Sequence, residues 1–374
     1  MSASPTIAAC LMVRNEADHL RRCLESLGGE VDVIYVTDTG STDDSVAVAR
    51  SFGAVVREFP WCDDFAAARN ASIAGVGEDW LLTLDADDAF PPGELRKLRG
   101  QLAADACAAT VRYSIVPTHT PLRTVKLLRN GLGARYEGIV HESVQKWMSA
   151  KRAEGWRRLD LDASLVHRGY TSEAMPGKVA RNLPLLRREW DRIQASGDLA
   201  PRFHVGAELG LALAHTGHAT EAAELLGQLL REATATVPIS LPPALKILFN
   251  LLWVFREEGK SDAALAVVQA VEKFFARSPA YQLHRGLTEL TAGNHAAAHT
   301  WLERFRVNWT ERELDVAVPV EYLGAKLWDA LAHCHMGLRN YLSAAMCYQR
   351  CVGLAPEDRE LQLRLLVAQR KGAA

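Results

Sequence analysis

The sequence predicts an α/β domain followed by an all-α domain of helical repeats. In the first half, apolar strand-like runs alternate with amphipathic helix patterns, and polar residues follow the strands where each of them ends. In the second half, strand patterning stops near residue 175, and long Ala- and Leu-rich helical stretches separated by Gly and Pro replace it. The length of 374 residues is also more than one ordinary hydrophobic core needs, which favours two domains.

The first half has the order β-α-β-α-β-α-β. The four strands are predicted at residues 7–13, 31–36, 54–59 and 80–84. Asp38 comes at the end of the second strand, Gly40 permits a tight turn after it, and Ser41 or Thr42 is expected to N-cap the next helix. Strands joined by crossover helices form a parallel sheet, so we expect a mainly parallel sheet here.

The fourth strand ends in three carboxylates within four residues, Asp85, Asp87 and Asp88. A hard divalent cation takes oxygen ligands and usually keeps water and substrate phosphates among them. Ligand crevices of α/β sheets open at the carboxyl ends of the strands. We therefore expect Asp85 and Asp87 to hold Mn²⁺ or Mg²⁺ against a diphosphate, directly or through water; the residue types do not separate the two ions. An Asp-x-Asp pair also occurs at ordinary strand-to-turn junctions, so the motif alone leaves both interpretations open.

Four motifs in order resemble glycosyltransferase family 2, which has the nucleotide-diphospho-sugar transferase (GT-A) fold. They are N-E-A at 15–17, D-T-G-S-T-D-D-S at 38–45, W-x-D-D-F-A-x-A-R-N at 61–70 and D-W-x-L-x-L-D-A-D-D at 79–88. The resemblance is strong over about the first ninety residues and continues more loosely through 138–142 and 167–170. It is greatest to bacterial members that carry tetratricopeptide repeats, a group that includes transferases acting on cysteines of peptides. It implies a metal-dependent, inverting transfer from a UDP-sugar.

The resemblance also implies which residues bind the donor. Asp38 would contact the uracil or the ribose, although it could instead be a plain helix-capping residue. The backbone after Val13 would wall the base pocket, with Glu16 beside it. Arg69 would reach the diphosphate or pair with an aspartate, and Asp85 would act through the cation.

Two basic residues, Lys178 and Arg181, begin the helix pattern after residue 175. They are candidates for neutralising the departing diphosphate. A solvated helix face explains two basic residues at this spacing equally well.

An inverting transfer also needs a base within hydrogen-bond reach of the acceptor nucleophile. Glu142 is the candidate base, and Asp88 is the alternative because it directly follows the proposed metal pair. His141 is a candidate metal or phosphate ligand, and His167 is a candidate metal ligand from the far side of the fold. Either histidine could equally be a satisfied polar group at the end of a strand.

The second half fits the tetratricopeptide template. The fit is best at Trp328, Leu331, Ala332, Tyr341, Ala344, Ala345, Tyr348, Cys351 and Pro356, and earlier copies are expected at 209–222, 251–264 and 286–298. Residues 315–321 are interpreted as an insertion and 361–367 as a terminal capping helix. The predicted domains are residues 1–175 for catalysis, 176–200 as a linking helix and 201–374 for the repeats. An unrelated helical bundle is the alternative for the last segment.

Composition excludes several function classes. The net charge of −2 and the absence of a long basic run give no electrostatic case for nucleic acid or anionic membranes. The first apolar run stops at Arg14, too early for a signal or membrane-spanning segment. The seven cysteines are scattered and form no C-x-x-C pair, which disfavours a zinc site or a disulfide framework. A reduced, cytoplasmic protein is expected.

Two functions from different classes follow. The first is a glycosyltransferase that moves a sugar from a UDP-sugar to an acceptor, either a peptide or protein bound by the repeats or a cell-surface glycan. The second is a non-catalytic, repeat-based interaction protein with a degenerate transferase domain. Residues 118–129 are expected to form a loop that helps to select the sugar and the acceptor. Repeat domains also self-associate, which adds a homodimer to the expected assemblies. A nucleotidyltransferase is disfavoured because no Gly-rich segment follows the first strand.

Overall fold

The structure is a computed structural model that describes residues 4–115, 122–168, 175–196, 199–236, 241–309, 316 and 318–373. The chain divides between residues 192 and 193 into two compact units. This division falls inside the segment 176–200 that was predicted to link the domains. Residues 197 and 198 of that segment lie outside the described part.

The first unit contains one sheet of eight strands. The strands are β1 Ile7–Val13, β2 Val33–Asp38, β3 Val55–Glu58, β4 Trp80–Leu84, β5 Asp88–Ala89, β6 Ala106–Ile115, β7 Leu122–Arg129 and β8 Arg157–His167. Their order in the sheet is β3-β2-β1-β4-β7-β6-β8-β5. The strands β3, β2, β1 and β4 are mutually parallel, as predicted. The other half is mixed, because β7 runs antiparallel to both β4 and β6.

Six helices accompany this sheet. They are α1 Ala17–Leu27, α2 Ser45–Ser51, α3 Phe65–Ile73, α4 Arg96–Arg99, α5 Gln145–Ala153 and α6 Met175–Ser196. The predicted periodicity of α1 is confirmed, since Leu20, Cys23, Leu24 and Leu27 are the buried residues of this helix. The prediction that Ser41 or Thr42 caps α2 is wrong: this helix begins at Ser45 and Asp44 is its N-cap residue.

Successive side chains of β1 point to opposite faces of the sheet, and both faces are packed. Ile7, Leu11 and Val13 belong to one apolar cluster, whereas Ala8 and Cys10 belong to another. A strand buried on both faces is typical of a central parallel strand. The register pairs Val13 with Asp38 and Leu11 with Leu84, so β1, β2 and β4 end at the same edge of the sheet.

The prediction of a loop at 118–129 is wrong for the residues of this range that the structure describes. Residues 122–129 form β7, which pairs with β4 through Leu127, Leu128 and Arg129. Residues 118–121 lie outside the described residues. Three consecutive residues of β7, Lys126, Leu127 and Leu128, are buried, so both faces of this strand are packed.

The second unit is all helical in its described residues. Its helices are α7 Leu199–His215, α8 Ala219–Ala235, α9 Leu241–Glu257, α10 Ser261–Phe275, α11 Pro279–Thr291, α12 His295–Asn308, α13 Ala325–Gly337, α14 Tyr341–Leu354 and α15 Arg359–Gly372, with a 3₁₀ turn at Val320–Leu323. The capping helix expected at 361–367 lies within α15. Of the insertion expected at 315–321, residues 315 and 317 lie outside the described part.

The helices pair as hairpins with one repeated geometry. Each hairpin turns through a residue with positive φ, at Gly217, Gly259, Gly293 and Arg339. Gly259 and Gly293 are 34 residues apart, the period of a tetratricopeptide repeat. No helix in the described part of the chain is long and apolar enough to cross a membrane.

Close approach explains the small residues of the template. A Cβ added at Gly210 in α7 would lie 2.5 Å from Cγ of Leu226 in α8, and one at Gly286 in α11 would lie 2.7 Å from Cγ of Leu302 in α12. The two helices of these two hairpins therefore touch at a position where only glycine fits without displacement. This equivalence of contacts in two hairpins supports the repeat interpretation over an unrelated bundle.

Candidate functional site

A cavity of about 810 Å³ opens at the carboxyl ends of β1, β2 and β4. All of its lining residues belong to the first unit. They are Met12, Val13, Arg14, Asn15, Glu16, Thr39, Trp61, Phe65, Asp85, Ala86, Asp87, Val140, His141, Glu142, His167, Lys178, Arg181 and Asn182. Nine of the twelve residues predicted for the site are among them; Asp38, Arg69 and Asp88 are not.

Asp87 lies in the cavity among charges of both signs. Its Oδ1 is 3.2 Å from Nδ1 of His167, and its Oδ2 is 3.5 Å from Nζ of Lys178. Burial raises the pKa of Asp87, and the neighbouring charges of Asp85 and Asp88 raise it further against the opposing effect of His167 and Lys178. An ionised Asp87 therefore destabilises the folded state unless another positive charge is present in the site.

Asp88 is the centre of a buried hydrogen-bond network. Its side chain is 0% exposed, and its carboxylate accepts from Nζ of Lys126 at 2.7 Å, from the hydroxyl of Tyr113 at 3.0 Å and from the backbone N–H of Asp85 at 3.0 Å. Nδ1 of His167 lies 3.0 Å from its Oδ1. Burial alone would raise the pKa of Asp88, but Lys126 and His167 hold it below the usual range.

Lys126 and Tyr113 belong to the buried network around Asp88 but were not among the predicted site residues. The ammonium of Lys126 lies 3.5 Å from Oδ2 of Asp85 and 4.6 Å from the centre of the Tyr113 ring. Lys126 is 7% exposed, which is rare for a lysine unless it is paired. Its position inside the strand-like run 122–129 was the available signal, because a lysine on the buried face of a strand needs a carboxylate partner.

Arg69 connects the metal motif to the candidate base. From α3 its guanidinium donates to Oδ1 of Asp85, to the carbonyl of Leu84 at 3.0 Å and to Oε1 of Glu142 at 3.1 Å. Arg69 is only 6% exposed and does not line the cavity. Arg69 therefore pairs with an aspartate, which is one of its two predicted roles, and its contact with the donor stays a prediction. Burial alone would raise the pKa of Asp85, but Arg69 and Lys126 hold it well below the usual range.

Asp38 braces a turn instead of lining the cavity. Its carboxylate accepts from the backbone N–H groups of Gly40 at 3.1 Å and Ser41 at 3.1 Å. Asp38 is 7% exposed. The helix-capping alternative is wrong, because the bonds of Asp38 cap a tight turn and Asp44 is the N-cap residue of α2. The adjacent Thr39 lines the cavity, and the contact of Asp38 with the donor stays a prediction.

The segment after β1 forms one wall of the cavity and is tied to the segment after β2. Asn15 has a φ of 55°, its N–H donates to Oγ of Ser41 at 3.0 Å, and its Oδ1 accepts from the N–H of Thr42 at 2.7 Å. The N–H of Glu16 donates to Oγ of Ser45 at 2.9 Å. These bonds fix the backbone after Val13, and the side chain of Glu16 pairs with Nδ1 of His19 at 2.7 Å.

The opposite wall combines aromatic and basic side chains. The rings of Trp61 and Phe65 meet edge to face with centres 4.7 Å apart, and the guanidinium of Arg181 lies 5.6 Å from the Phe65 ring. Lys178, three residues before Arg181, approaches Asp87. His141, exposed and with a φ of 56°, also lines the cavity.

Four residues of the cavity region have the donor atoms of a metal site. Among the described residues, Asp85, Asp87, Asp88 and His167 each offer one ligand atom, and these atoms lie within 4.8 Å of one another. Oxygen-rich donors of this kind suit Mg²⁺ and Mn²⁺, and an added cation would offset the charge crowding that raises the pKa of Asp87. The carboxylate of Asp88 lies within hydrogen-bond distance of Nδ1 of His167, an arrangement that orients metal-ligating histidines in other proteins. The residues therefore fit a divalent cation.

Comparison with known proteins gives a family match for the first unit. Residues 9–154 match the family model described as glycosyl transferase family 2. A TPR repeat-containing protein of Synechococcus elongatus is 30% identical over 276 residues, which is 72% of this chain and 66% of that protein. The SPbeta prophage-derived glycosyltransferase SunS of Bacillus subtilis is 25% identical over 193 residues, 49% of this chain and 45% of that protein. The chain thus spans about two thirds of the first relative and less than half of the second.

Solved structures show weaker likeness. A mannosyltransferase from Pyrobaculum calidifontis, in complex with GDP-Man and Mn²⁺, covers 82% of this chain and 88% of its own with 16% identity and a TM-score of 0.43. A tetratricopeptide repeat protein from Parabacteroides merdae covers 53% of this chain and 69% of its own with 16% identity and a TM-score of 0.40.

The family match covers most of the sheet and the acidic cluster at the end of β4, so the first unit is a glycosyltransferase domain. The match over residues 9–154 places this domain in glycosyltransferase family 2, and the second unit carries tetratricopeptide-like repeats.

Proposed function

We propose that the protein is a metal-dependent glycosyltransferase that transfers a sugar from a UDP-sugar with inversion at the anomeric carbon. One observation carries the proposal: Asp85, Asp87 and His167 converge in a cavity that Glu142 also lines. A degenerate domain would have no reason to keep Asp87 where burial and the charges of Asp85 and Asp88 oppose its ionisation, as its raised pKa indicates.

The charges of the cavity suit departure of a nucleoside diphosphate. Breaking the anomeric C–O bond leaves negative charge on the diphosphate, and a divalent cation held by Asp85, Asp87 and His167 would stabilise that charge. Lys178 and Arg181 line the same cavity and would add fixed positive charge from the other wall. The segment after Val13 and the residue Thr39 would then receive the ribose and the base, on the β1–β2 side.

Glu142 is the best placed base. Its carboxylate lines the cavity with a side chain that is 14% exposed, and a single bond from Arg69 at 3.1 Å holds its Oε1. Asp88 is poorly placed for this role, because its side chain has no exposure and three groups donate to it. We therefore assign Asp88 to positioning of Lys126 and His167, and we assign proton abstraction to Glu142.

The acceptor is proposed to be a peptide or protein. Stacked helical hairpins present extended surfaces that suit polypeptides, and the second unit is built from such hairpins. A glycan acceptor is the alternative, because the catalytic features in the first unit do not depend on the nature of the acceptor.

A binding titration separates the transferase from the interaction protein. Heats of binding would be measured for UDP, UDP-glucose, UDP-N-acetylglucosamine and GDP-mannose, each with Mn²⁺ and with a chelator. We expect micromolar binding of one UDP-sugar that the chelator abolishes. Folded protein that binds no nucleotide under either condition would overturn the proposal and favour a non-catalytic interaction protein.

The role of Glu142 needs its own variant. Glu142→Gln should bind the donor as the wild type does but release UDP in the presence of acceptor on the order of a hundredfold more slowly, the usual share of general-base catalysis. Glu137→Gln is a matched control, because Glu137 pairs with Lys146 outside the cavity lining. Native turnover in Glu142→Gln would show that the base lies elsewhere.

A further inference from the structure

The carboxylate of Asp88 is surrounded by donors on both of its oxygens. Its Oδ1 lies 3.0 Å from the hydroxyl of Tyr113 and 3.0 Å from Nδ1 of His167. Its Oδ2 lies 2.7 Å from Nζ of Lys126 and 3.0 Å from the backbone nitrogen of Asp85. An ionised carboxylate accepts about four hydrogen bonds. These neighbours therefore use its capacity, and Asp88 serves to hold them in place.

The register of the sheet places three of these side chains on one face. The strands β5 and β8 pair Asp88 directly with His167, and β6 and β8 pair Tyr113 with Leu165. Leu165 and His167 are two residues apart on β8, so their side chains point to the same face. Tyr113 is thus the diagonal neighbour of His167, and their ring centres are 5.5 Å apart.

Lys126 joins this group from a β-bulge in β7. Val125 and Leu127 pair with consecutive residues of β6, which makes Lys126 the extra residue between them. Bulges redirect side chains and are frequent beside active sites. Nζ of Lys126 lies 4.6 Å from the centre of the Tyr113 ring and 2.7 Å from Oδ2 of Asp88. Tyr113 therefore has the ammonium at its ring and the carboxylate at its hydroxyl.

Two carboxylates lie close to Nδ1 of His167. Oδ1 of Asp88 is 3.0 Å from this nitrogen, and Oδ1 of Asp87 is 3.2 Å from it. Asp87 lines the cavity and Asp88 does not. A bond from Nδ1–H to Asp88 would leave the carboxylate of Asp87 for a cation and would make Nε2 the ring nitrogen that can ligate. The position of Oδ1 of Asp88 therefore decides how the histidine and Asp87 are presented.

We propose that Tyr113 is a positioning residue of the metal site, because its hydroxyl holds Oδ1 of Asp88 against Nδ1 of His167. The histidine then presents Nε2, and Asp87 keeps its carboxylate for the cation. Tyr113 does not line the cavity, so it acts only through these neighbours. This role rests on the divalent cation of the proposed function and extends the site to a residue of β6.

Mn²⁺ binding to the full chain, with and without UDP, tests the role of Tyr113. Tyr113→Phe keeps the ring beside His167 and Lys126 and removes only the hydroxyl. The Kd for Mn²⁺, measured from the electron paramagnetic resonance signal of the free ion, should rise on the order of tenfold, as when a residue that orients a metal ligand is lost. Tyr136→Phe is the matched control, because it also removes a buried hydroxyl, which donates to Thr83 at 3.0 Å. Its Kd should equal that of the wild type.

A double-variant cycle separates positioning from a general effect on folding. His167→Gln removes the ligand through which Tyr113 is proposed to act. In that background Tyr113→Phe should change the Kd for Mn²⁺ by less than about twofold, the limit of ordinary non-additivity. The same tenfold rise in both backgrounds would contradict the proposal, because a loss of folding does not depend on the histidine.

Pulsed electron paramagnetic resonance of the bound Mn²⁺ reads the histidine directly. Coupling of the metal to a ligand nitrogen should be present in the wild type and in Tyr136→Phe, weaker in Tyr113→Phe and absent in His167→Gln. A wild type that binds no Mn²⁺ with or without UDP would overturn the metal-dependent function and this role together. If the wild type binds Mn²⁺ and Tyr113→Phe matches it in Kd and in nitrogen coupling, only the role of Tyr113 is wrong.

Discussion

Three aspartates at the end of β4 have three different environments although they lie within four residues. Asp85 faces the fixed charges of Arg69 and Lys126, which lower its pKa despite burial. Asp87 lies farther from these two cations, and burial raises its pKa. Asp88 is fully enclosed and serves as an acceptor for its neighbours. At the scale of residues, neighbouring aspartates of one strand end therefore differ in burial, in partners and in the direction of their pKa shifts.

The raised pKa of Asp87 predicts a trade between stability and function. Asp87→Asn removes an ionised group that the folded state disfavours, so the metal-free variant should melt at or above the wild-type temperature. The same variant should lose Mn²⁺-dependent donor binding by about a hundredfold or more. Substituting a residue that only hydrogen-bonds to a metal ligand usually has a smaller effect. Calorimetry without metal and a titration with Mn²⁺ measure the two effects. A less stable variant with unchanged donor binding would contradict both.

Lys126 should matter chiefly as the partner of a buried carboxylate. Lys126→Met leaves Asp88 buried without its ammonium and should cost about 3–5 kcal/mol of unfolding free energy. Adding Asp88→Asn to that variant should recover most of the loss, because the uncompensated charge is gone. Urea denaturation of the two single variants and the double variant completes the cycle. Additive losses in the double variant would contradict a direct pair.

At the scale of elements, the repeat hairpins depend on glycines at the helix crossings. Gly286→Ala places a Cβ 2.7 Å from Cγ of Leu302 and 3.1 Å from its backbone nitrogen, so the helices α11 and α12 must separate. We expect a loss of about 1–3 kcal/mol, typical of overpacking. Gly353→Ala in α14 is the control: no atom lies within 4 Å of its Cβ position, and it should gain about 0.5–1 kcal/mol from helix propensity. Denaturant unfolding monitored by circular dichroism compares the two, and equal effects would contradict the packing argument.

The contact between α12 and α13 predicts a pH dependence. Burial lowers the pKa of His335, and the ring of His299, with its centre 4.6 Å away, lowers it further, while Glu303 opposes the shift. The unfolded state then binds more protons than the folded state below about pH 6.5, so stability falls as pH drops from 7 towards 5. His335→Gln should reduce this slope in urea titrations at the two pH values. Identical slopes would show that His335 does not contribute.

At the scale of the whole molecule, the chain consists of two compact units with separate cores. Ligands of the first unit and packing variants of the second should therefore act on different unfolding transitions. Scanning calorimetry should show that Mn²⁺ with UDP raises one midpoint, by the equivalent of about 2.7 kcal/mol at a hundredfold excess over Kd, and that Gly286→Ala lowers the other. One transition that responds to both would contradict independent units.

Local patterns in the sequence were sufficient for most elements. Apolar strand-like runs in the sequence predicted β1 to β4. The helical spacing of apolar residues predicted α1, and those residues are buried. The strand β7 was missed because its basic residues, Arg123, Lys126 and Arg129, resemble a solvated loop when their partners are unknown. The start of α2 was misplaced because Ser41 and Thr42 bond to Asn15, 26 and 27 residues earlier, and such distant bonds have no local signature.

The sequence by itself determined the order of the elements, the position of the Asp-x-Asp pair at a strand end, and the repeat period of the second half. These features depend on residues that are close in the chain. Only the tertiary structure decided which charges meet: Arg69 pairs with Asp85 and Glu142, and Lys126 pairs with Asp88. These pairings join residues up to 73 positions apart. Their energies depend on burial and distance, which residue types alone do not fix.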